Sequence, residues 1–350
     1  MAEQPIPRKR AQGRLPSKGG PVTSYDVARL AGVTQPTVSR AMRGDRVAEI
    51  TRLRVLAAAE QLGYVPSDAG RSLATRRTNR IGVVVADLRN HFYLEVLTAF
   101  ERRLAEAGFQ VTLFRQTDDE DALLSQLSAG GVDGVALTSL TLDSRLPRAL
   151  RERRLPGVLL NRETGRLDVD VCVSDNVAGS RLVAERLLEL GHRKVGAVFG
   201  PADTSTGRDR ALGFREALAE AGVALHPAAC REVEYTHASG HDALLGIVDS
   251  PHRPTAVFCA NDVLAIGAVN AAKSRGISLP EDLTIIGYDD MEMSAWEVFD
   301  LTTVRQGTET MAATAAELLL RRVEDPDAEV RRVVVRPELV IRSTDGPPRP

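Results

Sequence analysis

A short polar run between Thr34 and Arg40 combines the residue types that read the edges of DNA bases. Gln35 can form paired hydrogen bonds with adenine, and Arg40 can form them with guanine. Thr34, Thr37 and Ser39 can donate to phosphate oxygens. These side chains act together only if one helix presents them, so the elements that hold them decide whether this chemistry is possible.

Residues 22–63 predict three short helices that would hold this run. Thr23 and Asp26 have the spacing of a capping box, and Gly32 is a typical helix stop. Two short helices around a Gly-containing turn form a helix-turn-helix, whose second helix enters the major groove. The alternative is a small helical bundle with a solvated polar face. The residues predicted to face inward are Val27, Leu30, Ala31, Val38, Ala41, Ile50, Leu53, Leu56 and Ala59.

Charge is divided unevenly along the 350 residues, whose net charge is −2. Residues 1–80 contain 15 Lys and Arg against 6 Asp and Glu, which leaves 30 against 41 in the rest. The split predicts a basic end that meets a polyanion and an acidic body that does not. A basic tail without a partner would explain only residues 1–20, which we expect to form a disordered arm before a headpiece at 21–66.

The strings VTSYDVARLAGVTQPTVSRAM (22–42) and TRLRVLAAAEQLGYVPSDAGRSLATRRTNRIGVVV (51–85) resemble the lac/purine repressor family of LacI/GalR-type transcriptional regulators. The resemblance extends to about residue 342. It implies that a set of headpiece residues contacts DNA bases or backbone: Thr23, Tyr25, Thr34, Gln35, Pro36, Thr37, Ser39, Arg40 and Tyr64. Two positions depart from the family pattern. Pro36 offers only apolar contact, and Arg43 stands where asparagine is frequent and is expected to reach a phosphate.

The segment at 67–79 follows the headpiece, and the resemblance implies a hinge helix there that folds on DNA. Two such helices, one per subunit, would enter the minor groove, with Ala69, Arg71 and Leu73 in contact and Leu73 wedged into a base step. Gly70 departs from the family, because glycine within a helix costs about 1 kcal/mol relative to alanine. The alternative is a plain flexible linker.

From residue 80 onward, apolar runs alternate with amphipathic stretches. This pattern predicts an α/β body of doubly wound parallel sheets in two lobes, like a periplasmic binding protein. We expect an N-lobe at about 80–188 and 305–333, a C-lobe at about 189–304 and 334–343, and a disordered tail at 344–350. The predicted strands are 81–87, 109–114, 132–139, 156–161, 169–174, 194–200, 255–262 and 283–290.

Polar residues at the predicted strand ends are the candidates for a ligand site, because ligands bind beyond the carboxyl ends of such strands. The resemblance implies that an effector cleft is lined by these residues or by packing faces near them: Asn90, Phe92, Asn161, Asp175, Arg208, Tyr235, Asn261 and Asp289. Amides, carboxylates and an arginine around aromatic rings favour a sugar or sugar derivative, with a purine second. The alternative for Asp175 and Asn261 is helix capping, and the two roles can coexist.

Enzyme motifs are missing from the sequence: it has no GxSxG elbow, GxxxxGK[ST] phosphate loop or GxGxxG fingerprint. The six histidines are scattered and the three cysteines lie far apart, so we expect no metal site, cofactor or disulfide framework. We expect no signal peptide or apolar span before the body, which, with the headpiece, argues against the alternatives of an exported solute-binding protein or an enzyme on the same α/β body and predicts a cytoplasmic, nucleoid-associated protein. We expect a homodimer on a pseudo-palindromic operator, with the effector acting as either inducer or corepressor.

Overall fold

The computed structural model of the chain describes residues 22–44, 46–65, 77–86 and 88–349. The chain forms two compact units, a headpiece and a body, which meet between Thr78 and Asn79. Within the described ranges, every helix is too short or too polar to cross a membrane.

The headpiece contains three helices, α1 (Ser24–Ala31), α2 (Gln35–Arg43) and α3 (Glu49–Leu62). The Asp26 carboxylate accepts hydrogen bonds from the backbone N–H and the hydroxyl of Thr23, at 3.0 and 2.7 Å, which fixes the start of α1. Glycines 32, 44 and 63 end the helices with φ between 61° and 77°, a backbone that glycine adopts without Cβ strain. The three predicted helices are confirmed.

The headpiece core is built from small and β-branched side chains. Val27, Val38 and Val55 are almost wholly buried, together with the alanines of α3 at 58 and 59. The predicted inward face of α3 is correct at Ala59 and wrong at Ile50 and Leu53, which are 74% and 55% exposed. Leu30 and Leu56 are exposed as well. Since α3 carries apolar residues on all sides, its periodicity does not reveal which face packs.

The N-lobe of the body is built on a six-stranded sheet in the order β11-β5-β4-β3-β1-β2, with every pair parallel. Its strands are β1 (Arg80–Val85), β2 (Gln110–Arg115), β3 (Gly134–Leu137), β4 (Gly157–Leu160), β5 (Asp170–Ser174) and β11 (Arg332–Val335). Its helices are α4 (His91–Glu106), α5 (Glu120–Ala129), α6 (Leu146–Glu152) and α11 (Thr308–Glu324). The core strands are buried on both faces, as near-continuous apolar runs predict.

The C-lobe is built on a four-stranded parallel sheet in the order β7-β6-β8-β9, joined by an antiparallel pair of β10 and β12. Its strands are β6 (Val195–Phe199), β7 (Cys230–Glu232), β8 (Ala256–Cys259), β9 (Thr284–Ile286), β10 (Thr303–Arg305) and β12 (Glu338–Val340). Its helices are α7 (Asn176–Glu189), α8 (Ser205–Glu220), α9 (His237–Val248) and α10 (Asp262–Ser274). The prediction of doubly wound parallel sheets is therefore confirmed.

Two predicted lobe boundaries are wrong. Helix α7 was assigned to the N-lobe, but Val183, Ala184 and Leu187 lie in the C-lobe core with Phe214 of α8. The predicted boundary between residues 333 and 334 divides strand β11, but the whole strand pairs with β5 at the edge of the N-lobe sheet. Both errors share a cause, because chain order alone does not say on which side of a crossing an element packs.

The predicted disordered tail at 344–350 is also wrong for the described residues up to 349. Thr344 and Asp345 are 3% and 9% exposed. The Asp345 carboxylate accepts from Arg186 and from the Thr302 hydroxyl, both at 2.7 Å. The Gly346 carbonyl oxygen lies 2.8 Å from Nε2 of His192. The segment is polar and rich in proline, yet it is anchored because buried C-lobe groups need its backbone and side chains as partners.

Candidate functional site

The N-terminal end of α2 presents the polar run that suggested base recognition. Pro36 and Arg40 are one turn apart and exposed, and the side chain of Arg40 lies along that turn with Nε 3.4 Å from the Pro36 carbonyl oxygen. Gln35 is half-buried, and its Nε2 donates to the hydroxyls of Ser24 and Ser39 at 3.3 and 3.2 Å. The contact with Ser24 ties the first residue of α2 to the first residue of α1.

The remaining residues predicted to contact DNA differ in their exposure and in their hydrogen-bond partners. Tyr25 is 68% exposed at the start of α1. Thr34 and Thr37 share a hydrogen bond of 2.9 Å, and Tyr64 is half-buried against the headpiece core. Several predicted contacts lie outside the described residues: Ala69, Arg71, Leu73 and the side chain of Arg43. The described residues of the headpiece thus form a compact polar surface that is built from helices.

A buried polar cluster joins the strand ends of the body. Arg210 of α8 is 3% exposed, and its Nη1 lies 3.0 Å from Oδ1 of Asp289 and 2.6 Å from the Ala260 carbonyl oxygen. Its Nε donates to Oδ1 of Asn176 at 2.8 Å. The guanidinium also lies 3.8 Å from the centre of the Tyr288 ring. One arginine therefore holds the ends of β8 and β9 and the start of α7 together.

Asp289 receives a second donor, Nε2 of Gln306, at 2.6 Å. Burial raises the pKa of Asp289, while the charge of Arg210 and the hydrogen bonds from Arg210 and Gln306 act against this rise. The residue has a φ of 128°, a strained backbone for a side chain other than glycine. Strain and a buried charge both indicate a position held for a purpose other than packing.

Two buried amide oxygens of the body have no hydrogen-bond partner among the described residues, and one of them belongs to Gln306 of this cluster. Because Nε2 of Gln306 donates to Asp289, its Oε1 is left as an unsatisfied acceptor. Oδ1 of Asn161, at the end of β4, is likewise unsatisfied, and the Asn161 backbone has a φ of 74°. An unsatisfied buried acceptor costs about 1–3 kcal/mol, so these oxygens are suited to a ligand that brings hydrogen-bond donors.

Tyr235 connects this cluster to the N-lobe. Burial raises the pKa of its hydroxyl, while Arg210 and Arg162, the residue after Asn161, lie near enough to lower it. Its ring covers Gly200, where an added Cβ would lie 2.0 Å from the Tyr235 Cζ. Side chains of the two lobes thus converge on one aromatic residue.

A groove of about 270 Å³ runs beside the cluster along the line where the lobes meet. Glu163 forms its N-lobe wall and is paired with Arg332, and the Glu163 backbone N–H donates to the Ser205 hydroxyl at 3.0 Å. A second hydrogen bond between the lobes, from Leu142 N–H to the Asp203 carbonyl, measures 2.8 Å. The groove also touches Asp175 and Asp209.

Three predicted effector residues act as helix caps. The side chains of Asn90, Asp175 and Asn261 accept from backbone N–H groups in the first turns of α4, α7 and α10, at 2.9–3.1 Å. The capping alternative is therefore confirmed for Asp175 and Asn261. Phe92 is 3% exposed and lies in the N-lobe core with Tyr93.

Arg208 does not join the buried cluster. Its side chain is 45% exposed and paired with the neighbouring Asp209 at 2.7 Å. Sequence reasoning chose it and missed Arg210, which lies on the buried face of α8 with Phe214 and Ala217. The helical spacing of 210, 214 and 217 was the signal that could have identified the inward-facing arginine.

The chain is similar to known DNA-binding regulators over most of its length. Residues 23–67 match the family described as bacterial regulatory proteins, lacI family, and residues 184–344 match the periplasmic binding protein-like domain. It is 35% identical to the HTH-type transcriptional regulator CelR of Thermobifida fusca, over 91% of this chain and 96% of the relative. It is also 35% identical to the HTH-type transcriptional repressor PurR of Aliivibrio fischeri, over 92% and 98%.

Two solved structures share the architecture. The lac repressor dimer bound to operator and the anti-inducer ONPF has a TM-score of 0.83 at 28% identity, covering 93% of this chain and 99% of that one. The complex of the transcriptional regulator CelR with cellobiose has a TM-score of 0.71 at 33% identity, covering 93% and 100%.

Proposed function

The chain belongs to the lacI family of bacterial regulatory proteins and is a DNA-binding transcriptional repressor, and we propose that the cluster around Arg210 and Asp289 binds the small molecule that controls its hold on DNA. The relatives are regulators rather than enzymes. We infer that this chain likewise catalyses no reaction and works in the cytoplasm at the nucleoid.

The observation that carries the proposal is the unsatisfied buried oxygen Oε1 of Gln306, whose amide nitrogen donates to Asp289 of the Arg210–Asp289 pair. Oδ1 of Asn161, at the end of β4, is a second unsatisfied buried oxygen. A sugar offers several hydroxyls, each of which can donate to such an oxygen and accept from a guanidinium. Tyr235 supplies an aromatic face on which the apolar side of a pyranose ring can pack. The related CelR was solved with cellobiose, which supports a sugar or sugar derivative as the effector.

A purine is the second candidate, because its ring N–H groups could also donate to the two amide oxygens and its flat ring could stack on Tyr235. In either case we propose that the cap residues Asn90, Asp175 and Asn261 frame the ligand from the surrounding strand ends. Phe92 would act only through the packing of the N-lobe core, and Arg208 only from the exposed side of α8.

On the DNA side, we infer that a homodimer places two α2 helices in successive major grooves of a pseudo-palindromic operator. Gln35 and Arg40 would read bases, with Thr23, Tyr25, Thr34, Pro36, Thr37, Ser39, Arg43 and Tyr64 around them. Ala69, Arg71 and Leu73 would enter the minor groove. Effector binding would change DNA affinity by a coupling free energy of about 1–3 kcal/mol.

A thermal-shift screen tests the effector proposal. Cellobiose, glucose, ribose, hypoxanthine and guanine are each added to the full-length protein and to Gln306→Leu, which removes one unsatisfied oxygen. A ligand at 100 times its Kd stabilises the folded state by about 2.7 kcal/mol and raises Tm. We expect a sugar to raise the Tm of the wild type and to lose most of this effect in Gln306→Leu. A response to nucleobases alone would favour the purine, and an equal sugar response in both proteins would remove Gln306 from the site.

A further inference from the structure

Arg162 directly follows Asn161 at the end of β4, and its half-buried guanidinium forms no ion pair with any described residue. Its Nη1 lies 3.4 Å from the Leu140 carbonyl oxygen, while its Nε is buried and has no hydrogen-bond partner among the described residues. Withdrawing a cation from water is costly unless an anion and hydrogen-bond acceptors compensate it. Arg162 is therefore suited to a ligand that brings an acceptor and a negative charge.

This guanidinium belongs to an N-lobe loop that packs against the C-lobe. The backbone N–H of Glu163, the next residue, donates to the hydroxyl of Ser205, the first residue of α8, at 3.0 Å. From the loop after β3, Leu142 N–H donates to the Asp203 carbonyl oxygen at 2.8 Å. The N-terminus of α8 carries the partial positive charge of the helix dipole, which favours an anion nearby. The loop that holds Arg162 and the positive end of a C-lobe helix are therefore neighbours.

Tyr235 relates Arg162 to the buried cluster around Arg210. Burial raises the pKa of the Tyr235 hydroxyl, and the charges of Arg210 and Arg162 both act against this rise, so both guanidinium groups lie near the phenol. The charge of Arg210 is compensated, because Oδ1 of Asp289 lies 3.0 Å from its Nη1. The uncompensated cation on this side of the cluster is thus Arg162.

The carboxylates along the same lobe boundary are engaged with other groups in the described part of the chain. Glu163 is paired with Arg332, Asp209 with Arg208 and Asp289 with Arg210, while Asp175 caps the first turn of α7. Moving any of them to Arg162 would break an ion pair or a helix cap that is already formed. A bound molecule is therefore the natural source of the anion that Arg162 lacks.

We propose that the effector is an anionic sugar, with one phosphate or carboxylate group that binds Arg162 at the N-terminus of α8. This inference rests on the proposed effector site and specifies the class of ligand that the site takes. The sugar hydroxyls meet Gln306 and Asp289, and the anionic group meets the guanidinium, whose planar donors suit phosphate and carboxylate oxygens. Because Arg162 is in the N-lobe and α8 in the C-lobe, the anionic group joins the two lobes. A neutral sugar leaves this cation uncompensated and binds more weakly.

The test compares neutral sugars with their anionic counterparts on the full-length protein, in phosphate-free buffer at constant ionic strength. The matched sets are glucose with glucose 6-phosphate and glucuronate, and ribose with ribose 5-phosphate. Kd is obtained from the rise of Tm with ligand concentration. We expect at least one anionic member to bind about tenfold or more tightly than its neutral parent, because charge-assisted hydrogen bonds are the stronger ones. Arg162→Gln should reduce this preference to less than about threefold, and Arg162→Lys, which keeps the charge, should retain part of it.

Arg253→Gln is the matched control, because it removes one positive charge from an exposed loop before β8. We expect it to keep the wild-type preference for the anionic member. Inorganic phosphate is tested alone, since it stabilises folded proteins in general and this effect should be the same in the wild type and Arg162→Gln. An equal Tm rise with inorganic phosphate and with the sugar phosphates would indicate an adventitious ion only and would overturn the proposal. An anionic preference that survives in Arg162→Gln would overturn it as well.

Gln306→Leu distinguishes failure of this inference from failure of the effector site. If a neutral sugar binds as tightly as its anionic counterpart and loses its effect in Gln306→Leu, the anionic class is wrong and the effector site stands. If an anionic sugar requires Arg162 but binds Gln306→Leu as it binds the wild type, the anionic class stands and Gln306 is not part of the site. No Tm rise with any member of the two sets would count against both proposals.

Discussion

The guanidinium of Arg210 lies 3.0 Å from the carboxylate of Asp289, and the two side chains are 3% and 4% exposed. The pair joins helix α8 to the end of β9, and Gln306, on the crossing back to the N-lobe, donates to the same carboxylate oxygen. A ligand that competes for Asp289 would therefore act on the segment that connects the lobes. This relationship gives the proposed effector site a direct route to the arrangement of the two lobes.

Arg210→Ala should destabilise the body strongly, since it leaves Asp289 buried without its cationic partner. Breaking a buried ion pair from one side costs about 3–5 kcal/mol. Arg208→Ala, two residues away, is the matched control, because Arg208 is 45% exposed and its pair with Asp209 is a surface pair worth at most about 1 kcal/mol. Urea denaturation of both variants measures the difference. Similar losses would contradict the assignment of the buried role to Arg210.

The headpiece core makes a second prediction, because α3 packs through Val55 and not through Leu53. Val55→Ala should cost the headpiece about 2 kcal/mol by leaving a cavity. Leu53→Ala removes more apolar volume from an exposed position and should change stability by less than about 0.5 kcal/mol. Amide hydrogen exchange of α1–α3 in the full-length protein reports the headpiece alone. Greater loss of protection in Leu53→Ala would mean that the exposed face of α3 is covered by another part of the molecule in solution.

The burial of Arg210 in place of Arg208, and of Val55 in place of Leu53, could not be predicted from the sequence. The glycines at 32 and 63 and the Thr23–Asp26 pair fixed the headpiece helices, and the apolar runs located most strands of the two parallel sheets, because these signals are local. Strand β7, with the sequence Cys-Arg-Glu, has no apolar run and was missed. Local sequence does not tell whether Leu53 or Val55 faces the headpiece core, since α3 is apolar on all sides. The buried face of α3 is determined by which of its side chains fit between α1 and α2.

The sequence predicted that the candidate site lies at strand ends, but it did not predict which side chains bond to each other there. Asp289 was identified because it follows an apolar strand, and its strained backbone and buried pair appear only in three dimensions. Nothing in the sequence around Gln306 indicates that its amide meets Asp289. The polar segment at 343–349 was expected to be disordered, because its composition does not reveal that His192 and Arg186 hold it.

Base recognition by α2 gives a third prediction. Arg40 is exposed on α2, one turn after Pro36, and an arginine that forms two hydrogen bonds to a guanine contributes about 1–3 kcal/mol of discrimination. Arg40→Ala should therefore relax base preference at one position of each half-site, as measured by competition among single-base variants of a selected duplex. Arg29→Ala removes an equal charge that is paired with Asp26 on α1 and should leave the preference intact. Unchanged selectivity in Arg40→Ala would remove Arg40 from the reading surface.

Acidification should loosen the C-terminal segment through His192. This imidazole is 1% exposed, with Nδ1 2.8 Å from the Thr255 hydroxyl and Nε2 2.8 Å from the Gly346 carbonyl oxygen. Burial lowers the pKa of His192 below its usual value near 6.5, and the nearby Gly346 and Asp345 oppose this only in part. The unfolded chain therefore binds a proton before the folded one does. Stability from this residue is complete above about pH 6.5 and declines as the pH falls below that value toward the folded pKa.

We therefore compare the wild type with His192→Gln, which keeps polar groups at this position but cannot titrate. The free energy of unfolding is measured by urea denaturation from about pH 7.5 down to 5. It should fall more steeply with decreasing pH in the wild type than in the variant. His91→Gln, at the exposed start of α4, is the matched histidine control and should follow the wild-type curve. Cleavage of the segment after Arg342 by carboxypeptidase should also accelerate on acidification in the wild type, because a charged imidazole in this buried position destabilises the folded body that holds the segment. Parallel curves for the wild type and His192→Gln would show that the segment is held by the Arg186–Asp345 pair without help from the imidazole.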